Sequence, residues 1–261
     1  MKKAGAKPHS SRLVAGLALI VVSTGAQTTP PPVVPDWALP GSATHRQVPP
    51  PADFHRPTRT ELTPIGIFSG QSEIGGPLIT GSSSFDSATG RYTVRSAGYN
   101  IWYNRDEFRF LWKKMSGDVS LAADVAFPEA GPPSDRKVVL VIRQSLDDDA
   151  KEAMVAEHGT GMVHLAQRQA ANTNMTDMEF SFGGSLRQVM AQRIGIEKRG
   201  NNLTLYASLT GEPMHPMGPP IQLGFDGPFY VGIGFCPHLA ATLDTGAFSN
   251  VVLRNSAGAI K

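Results

Sequence analysis

The sequence has little of what many enzyme sites are built from, with one cysteine in 261 residues and only 18% charged side chains. The lone cysteine, Cys236, excludes an internal disulfide and a cysteine-based zinc cluster. The HExxH, GxxxxGK[ST] and GxSxG motifs are absent, which excludes the common zinc-protease, P-loop and α/β-hydrolase sites. With 41% hydrophobic residues the chain is nevertheless expected to be globular, with Cys236 inside a buried strand.

An excess of positive charge is also missing from most of the chain. The formal net charge is +2, but the first 26 residues hold four basic residues and no acid. The remainder therefore has 20 basic against 22 acidic residues, a formal net charge of −2. Because nucleic-acid binding depends on neutralising phosphates, no nucleic-acid partner is expected.

The N-terminal region has the order of a secretory signal peptide. The basic segment Lys2 to Arg12 precedes the apolar run LVAGLALIVV at 13–22, and Thr24 and Ala26 supply small residues before a cut. The run is about half of the ~20 residues that a membrane-spanning helix needs. We therefore expect residues 1–26 to be removed, leaving a secreted or periplasmic protein with no membrane span. An uncleaved membrane anchor is the alternative.

The rest of the chain divides by composition. Residues 27–61 are rich in proline, which restricts φ and favours an extended linker. Residues 62–255 alternate apolar segments with Gly, Asn, Asp and Pro, as expected for one domain of many short strands, and residues 256–261 form a tail.

A two-residue hydrophobic period predicts an all-β fold. It occurs in 117–127, 161–169 and 192–209, and the last of these is expected to be a hairpin. The run 137–146 is apolar on both faces, as in a central strand. Residues 147–157 are the one candidate for a short helical turn. About a dozen such strands predict a two-sheet antiparallel β-sandwich of the jelly-roll kind.

The segment GSSSFDSATGRYTVRSAGYNIWYNRDEFRFLWKKMSGDVSLAADV resembles the start of a concanavalin A-like (LamG-like) domain of secreted bacterial proteins. The later pieces RKVVLVIRQSL, EHGTGMVHLAQRQ, RIGIEKRG, FYVGIGFCPH and FSNVVL occur in the same order as in that family. The resemblance covers about residues 65–253, and related domains occur alone or beside Tol-type β-propeller repeats. It implies a two-sheet jelly roll, often with carbohydrate binding.

The candidate site consists of polar residues placed by strand alternation on polar faces. If those faces meet on one concave sheet, they line a groove, with Gly232 and Gly234 letting a ligand approach the backbone. Trp102 is a further candidate because sugars stack on aromatic rings, although it also suits the core. The alternative for the polar residues is a set of internal salt bridges, such as Arg168 with Glu197. The predicted ligand-binding residues are Trp102, Arg143, His158 (in an approaching loop), His164, Arg168, Glu197, Tyr230 and His238.

The function predicted from these residues is non-catalytic binding of a glycan or cell-surface polymer by a monomer. One alternative is a polysaccharide lyase, with Arg143 neutralising a uronate while a histidine and Tyr230 transfer protons. Another is a structural or protein-interaction module. No catalytic residue, metal ligand or cofactor is assigned. The cluster Asp147, Asp148 and Asp149 is expected to be a solvated loop, with a structural calcium ion as the alternative.

Overall fold

The computed structural model describes residues 56–129, 135–182 and 189–260. The chain divides into two units, Met1–Pro31 and Pro32–Lys261, and all described residues belong to the second. The predicted signal peptide and all but the last six residues of the predicted linker lie outside the described residues. No described segment forms a helix that is long and apolar enough to cross a membrane.

The described chain is built from β-strands. In chain order they are β1 Arg59–Glu61, β2 Gly70–Ile74, β3 Ser82–Asp86, β4 Arg91–Gly98, β5 Ile101–Trp102, β6 Arg105–Asp106, β7 Phe108–Met115, β8 Val119–Ala126, β9 Lys137–Arg143, β10 Glu152–His158, β11 Met162–Arg168, β12 Thr176–Ser181, β13 Arg193–Arg199, β14 Asn202–Ser208, β15 His215–Gln222, β16 Phe229–Cys236 and β17 Leu239–Arg254. The first of them, β1, uses the last three residues of the segment expected to be linker.

These strands form two large antiparallel sheets and one small hairpin. The larger sheet has the order β1-β2-β7-β16-β9-β10-β11-β12, and the smaller one has the order β15-β14-β13-β8-β17-β4-β3. Strands β5 and β6 pair only with each other. The predicted all-β, two-sheet antiparallel sandwich of jelly-roll type is confirmed.

The main hydrophobic core takes alternate residues from both sheets. The larger sheet contributes Val138, Leu140 and Ile142 of β9, and the smaller sheet contributes Ile194 and Ile196 of β13. Every residue of β9 is buried, and its neighbours in the sheet are β16 and β10. The predicted central strand is thus confirmed, and its even-numbered residues face the sandwich interior.

Two local predictions have different outcomes. The predicted hairpin is present as β13 and β14, and Gly200 takes the positive φ of +56° that the turn requires. The predicted helical turn within 147–157 is wrong, because Glu152–His158 form β10 and pair with both β9 and β11. Pairing on two sides satisfies the backbone of a segment whose seven residues are all buried.

The face of the larger sheet that is turned away from the smaller sheet, called here the outer face, is also covered. A second apolar cluster lies on it, including Phe108, Phe110 and Trp112 of β7, Val139 and Val141 of β9, and Cys236. Two further side chains pack against this cluster. Trp102 lies on the β5–β6 hairpin, and Leu146 lies in the loop between β9 and β10. The prediction that Cys236 is buried in a strand is confirmed, and burial raises the pKa of its thiol to about 12.

Candidate ligand-binding site

The outer face of the larger sheet carries Arg143, His164, Arg168 and Tyr230, as strand alternation predicted. Tyr230 pairs with Arg143, and Arg143 pairs in turn with Glu152 of β10. Glu152 pairs with Arg168 of β11, so these four side chains form one row across four strands. His164 lies on the same face, four residues before Arg168 on β11.

The two arginines of this row are enclosed by carboxylates rather than exposed in a groove. Asp106 is a residue of β6. It accepts hydrogen bonds from Arg168 at 2.6 and 2.8 Å and from Arg143 at 3.3 Å. Glu152 lies 3.0 Å from Arg143. The side chains of Arg143, Arg168, Asp106 and Glu152, called here the ion-pair cluster, are all 0% exposed. Two cations and two carboxylates therefore balance each other inside the protein.

The ion-pair cluster corrects the predicted roles of Arg143 and Arg168. Neither guanidinium contacts solvent, and their acidic partners are Asp106 and Glu152 instead of the expected Glu197. Arg168 also donates to the backbone oxygens of Tyr103 and Ala150. Burial raises the pKa of Glu152 to about 7, and the charge of Arg143 opposes that rise. Because both guanidinium groups are fully buried and paired with carboxylates, neither is accessible to a ligand.

A pocket opens at the other end of the same outer face. It is reached by moving six residues along β9, from Arg143 to Lys137, and its volume is about 210 Å³. We call it the end pocket. Its lining residues are Asn100, Trp102, Asp135, Lys137, His158, Met162, His164, Asp177 and Glu179.

The interior of the end pocket is formed by a buried amine and a buried imidazole from neighbouring strands. Lys137 pairs in register with His158, which is the last residue of β10 and not part of a loop as expected. The Nζ of Lys137 donates to Asn100 Oδ1 at 2.6 Å. Burial lowers the pKa of Lys137. It also lowers the pKa of His158 well below its usual value, and the charge of Lys137 adds to this.

His164 connects the interior of the end pocket to its aromatic wall. Its ring stacks on Trp102 with centroids 5.9 Å apart, and it meets the His158 ring edge-on at 4.9 Å. His164 Nδ1 lies 2.9 Å from Asp177 Oδ2. Because a carboxylate can only accept, this contact places the proton on Nδ1 and leaves Nε2 as an acceptor. Burial lowers the pKa of His164, which keeps the ring neutral.

Three carboxylates surround this interior. Asp177 and Glu179 lie on β12, the edge strand, where Glu179 pairs in register with His164. Asp135 precedes β9, and its Oδ1 lies 4.0 Å from His158 Nδ1. Within the described ranges, no lysine or arginine forms an ion pair with any of the three. The end pocket therefore has an acidic mouth, an aromatic wall and a neutral imidazole floor.

The other predicted residues lie elsewhere. Glu197 is on β13, in the smaller sheet, so its predicted place beside the arginines is wrong. Tyr230 is on the outer face, but it packs edge-on against Trp112 at 5.0 Å and does not line the end pocket. His238 follows β16 with a φ of +57° and stacks on Tyr99.

The predicted role of Gly232 and Gly234 is also wrong. A Cβ at Gly232 would overlap the backbone oxygen of Leu111, and one at Gly234 would meet the Phe108 ring at 2.9 Å. These glycines therefore accommodate the neighbouring strand β7 rather than a ligand.

Several lining residues of the end pocket were not among those predicted from the sequence. Lys137 is six residues before Arg143 on β9, and an even spacing along a strand places both side chains on the outer face. Asp177 and Glu179 share a two-residue period, which places both on one face of an edge strand. Asn100 and Asp135 come from loops, for which no periodic signal exists.

The expected acidic loop is partly neutralised. Asp148 forms an ion pair with Arg105 at 3.1 Å, and Asp147 accepts a hydrogen bond from Ser145. In the part of the chain that the structure describes, no three His, Cys, Asp or Glu side chains are arranged to hold a metal ion.

The comparisons with known proteins bear on the fold. No protein-family model and no curated protein sequence matches the chain. Among solved structures it is similar to a functionally unknown protein from Saccharomyces cerevisiae, with a TM-score of 0.51 and 16% identity over 68% of this chain and 93% of that one.

Two further similar structures are more distant. The carbohydrate binding module CBM66 from Bacillus subtilis has a TM-score of 0.43 and 13% identity, over 67% of this chain and 92% of that one. The alginate lyase from Klebsiella pneumoniae has a TM-score of 0.41 and 11% identity, over 67% of this chain and 84% of that one. At 16% identity the likeness to the Saccharomyces cerevisiae protein describes the fold alone.

Proposed function

We propose that this protein is a non-catalytic binding module that holds one sugar residue of a glycan in the end pocket. The observation that carries the proposal is the combination of Trp102 with carboxylates and neutral imidazoles around a volume of about 210 Å³. Binding pockets typically combine an apolar or aromatic surface with a few convergent polar groups.

The groups around the end pocket match the chemistry of a sugar. A pyranose ring has apolar C–H faces, which pack on an aromatic ring such as that of Trp102. Its hydroxyls both donate and accept hydrogen bonds. Asp177 and Glu179 can accept from hydroxyls, and so can His164 Nε2, which has no hydrogen-bond partner among the described residues. The proposal therefore moves the binding site from the expected groove to one end of the outer face.

The same geometry disfavours the alternative of a uronate-cleaving lyase. That reaction needs a cation to neutralise the substrate carboxylate, and Arg143 is enclosed in the ion-pair cluster. Tyr230, the expected proton donor, lies outside the end pocket. The lowered pKa of His158 and His164 also makes both rings weak bases.

The compartment is part of the proposal. The basic N-terminal segment and the apolar run at 13–22 support export to the periplasm or beyond, with cleavage after Ala26. N-terminal sequencing of protein recovered from the extracytoplasmic fraction tests this. A mature chain beginning near Gln27 supports export with cleavage, and an intact N-terminus in that fraction contradicts the cleavage.

The binding proposal is tested with a glycan array followed by titration of the retained oligosaccharides. Trp102→Ala is expected to weaken binding by at least about tenfold, since stacking on the ring is lost. Tyr230→Ala is the matched control, because Tyr230 is a partly exposed aromatic on the same outer face but outside the end pocket.

Both variants are compared only where thermal melts show that they are folded. Loss of binding in Tyr230→Ala with retention in Trp102→Ala would contradict the end pocket. Retention of no glycan by the wild type would contradict carbohydrate binding itself.

A further inference from the structure

The end pocket has many more hydrogen-bond acceptors than available donors. Asp135, Asp177 and Glu179 are carboxylates, which can only accept, and His164 Nε2 adds a fourth acceptor. The amine of Lys137 is the strongest donor among the lining groups, and it already donates to Asn100 Oδ1 at 2.6 Å. A ligand that completes this arrangement has to be a strong donor.

The formal charges of the end pocket also favour a ligand group that is a donor and a cation. Its lining contains three carboxylates and one lysine, so their formal sum is −2. The nearby cations do not offset it, because Arg143 and Arg168 are balanced by Asp106 and Glu152. Such a pocket repels a uronate or a sulfated sugar and attracts a cation.

Two buried side chains independently indicate that the end pocket is suited to a ligand that donates hydrogen bonds. His158 is 5% exposed and His164 is 2% exposed, and both line the pocket. The Nε2 atoms of both rings are buried without a hydrogen-bond partner in the described protein. Buried polar atoms normally have a hydrogen-bond partner, because leaving one unpaired destabilises the folded state.

We propose that the end pocket binds the primary ammonium of an amino sugar, so that the ligand is a glycan whose residues carry free amines. This inference rests on the proposed function and narrows its ligand class. An ammonium supplies three hydrogen-bond donors and one positive charge, which match the carboxylates and His164 Nε2. The face of Trp102 adds a favourable site for a cation beside those carboxylates.

The experiment compares three oligosaccharides of equal length and linkage by calorimetric titration of the mature protein. They are built from glucosamine, N-acetylglucosamine and glucose. The glucosamine oligomer is expected to bind at least about fivefold more tightly than the other two, the equivalent of one modest charge pair. That preference is expected to shrink as salt is raised, since an exposed charge interaction is screened.

The carboxylates are tested with Glu179→Gln, which keeps the size and removes the charge. It is expected to reduce the ratio of glucosamine to glucose affinity to about half or less. Glu212→Gln changes an exposed glutamate that does not line the end pocket, and it is the matched control that leaves the ratio unchanged.

The outcomes separate the two proposals. Equal affinity for the three oligomers, or tighter binding of the acetylated one, overturns the ammonium site and leaves the glycan-binding function standing. A glucosamine preference that Glu179→Gln leaves unchanged at low salt also overturns the ammonium site. Binding of none of these oligomers, nor of any glycan on the array, overturns both.

Discussion

Arg168 of β11 binds both carboxylate oxygens of Asp106 on β6, at 2.6 and 2.8 Å. This bidentate contact joins the outer face of the larger sheet to the β5–β6 hairpin. Trp102 lies on that hairpin, and Arg168 also donates to the backbone oxygen of Tyr103. Arg168, which was predicted to lie in the ligand groove, therefore stabilises the position of the hairpin that carries Trp102.

The ion-pair cluster is expected to contribute strongly to stability. Replacing Arg143 or Arg168 with alanine leaves Asp106 and Glu152 buried with too little positive charge. We expect each variant to lose about 3–5 kcal/mol of unfolding free energy in urea denaturation. Lys151→Ala is the control, because its partner Asp226 is 95% exposed, and we expect a change within about 1 kcal/mol. If the Arg143→Ala protein were as stable as this control, the structural role of Arg143 would be contradicted and its predicted role in ligand recognition would be favoured.

Glu157 is expected to make the protein less stable as pH rises. It faces the sandwich interior, where one oxygen accepts from the Ala191 N–H at 2.6 Å and the other has no hydrogen-bond partner in the described part of the chain. Burial raises its pKa to about 8. Between pH 4.5 and 8 the folded state holds this proton and the unfolded state does not, so unfolding free energy falls as pH rises.

Glu157→Gln removes that dependence. Relative to the wild type, the variant is expected to gain on the order of 2–4 kcal/mol between pH 5 and 8, measured by urea denaturation. The Glu212→Gln variant serves again as the exposed control. A constant difference between Glu157→Gln and wild type across this range would contradict the burial of an unpaired carboxyl group.

The histidines of the end pocket predict the opposite trend on the acid side. Burial lowers the pKa of His158 and His164 below their value of 6.5 in the unfolded chain. Below pH 6.5 the unfolded state therefore binds more protons than the folded state, and unfolding free energy falls as pH falls. The stability advantage of wild type over His158→Gln is expected to shrink from pH 7 to pH 5 in paired urea titrations. An advantage that grows on acidification would show that a protonated His158 is stabilised instead.

The C-terminal residues are expected to stabilise the smaller sheet. Glu197 Oε2 accepts from the Gly258 N–H at 2.5 Å, and Ser120 donates to the Ser256 oxygen at 2.6 Å. The Ile260 side chain lies near Gly195 of β13. Truncation after Asn255 removes these contacts, and we expect a loss of about 1–3 kcal/mol in thermal or urea unfolding.

A glycan-binding assay distinguishes this structural role of Glu197 from its predicted role in ligand binding. Glu197→Ala is expected to lower stability by an amount similar to the truncation and to leave glycan binding unchanged. Loss of binding by folded Glu197→Ala protein would contradict a purely structural role for this residue.

Strand alternation was sufficient to predict much of the fold and part of the site. The period of two in β11 and β16 correctly placed His164, Arg168 and Tyr230 on the same kind of face. It also identified β9 as a central strand because both of its faces are apolar. Alternation gives no information on which sheet a strand joins, and for this reason Glu197 was assigned to the wrong surface.

Local patterning is enough to predict an all-β sandwich and the side chains that alternate on each strand, because a strand's period of two is a local property. The roles of those side chains depend on contacts between distant parts of the chain. Asp106 comes from a hairpin about sixty residues before Arg168, and it turns the expected groove into a buried ion-pair cluster. Lys137 lies beside His158, and Glu179 lies beside His164, because β9, β10, β11 and β12 pair in this order and register. Such pairings depend on long-range packing and on the neutralisation of buried charge, which no local pattern contains.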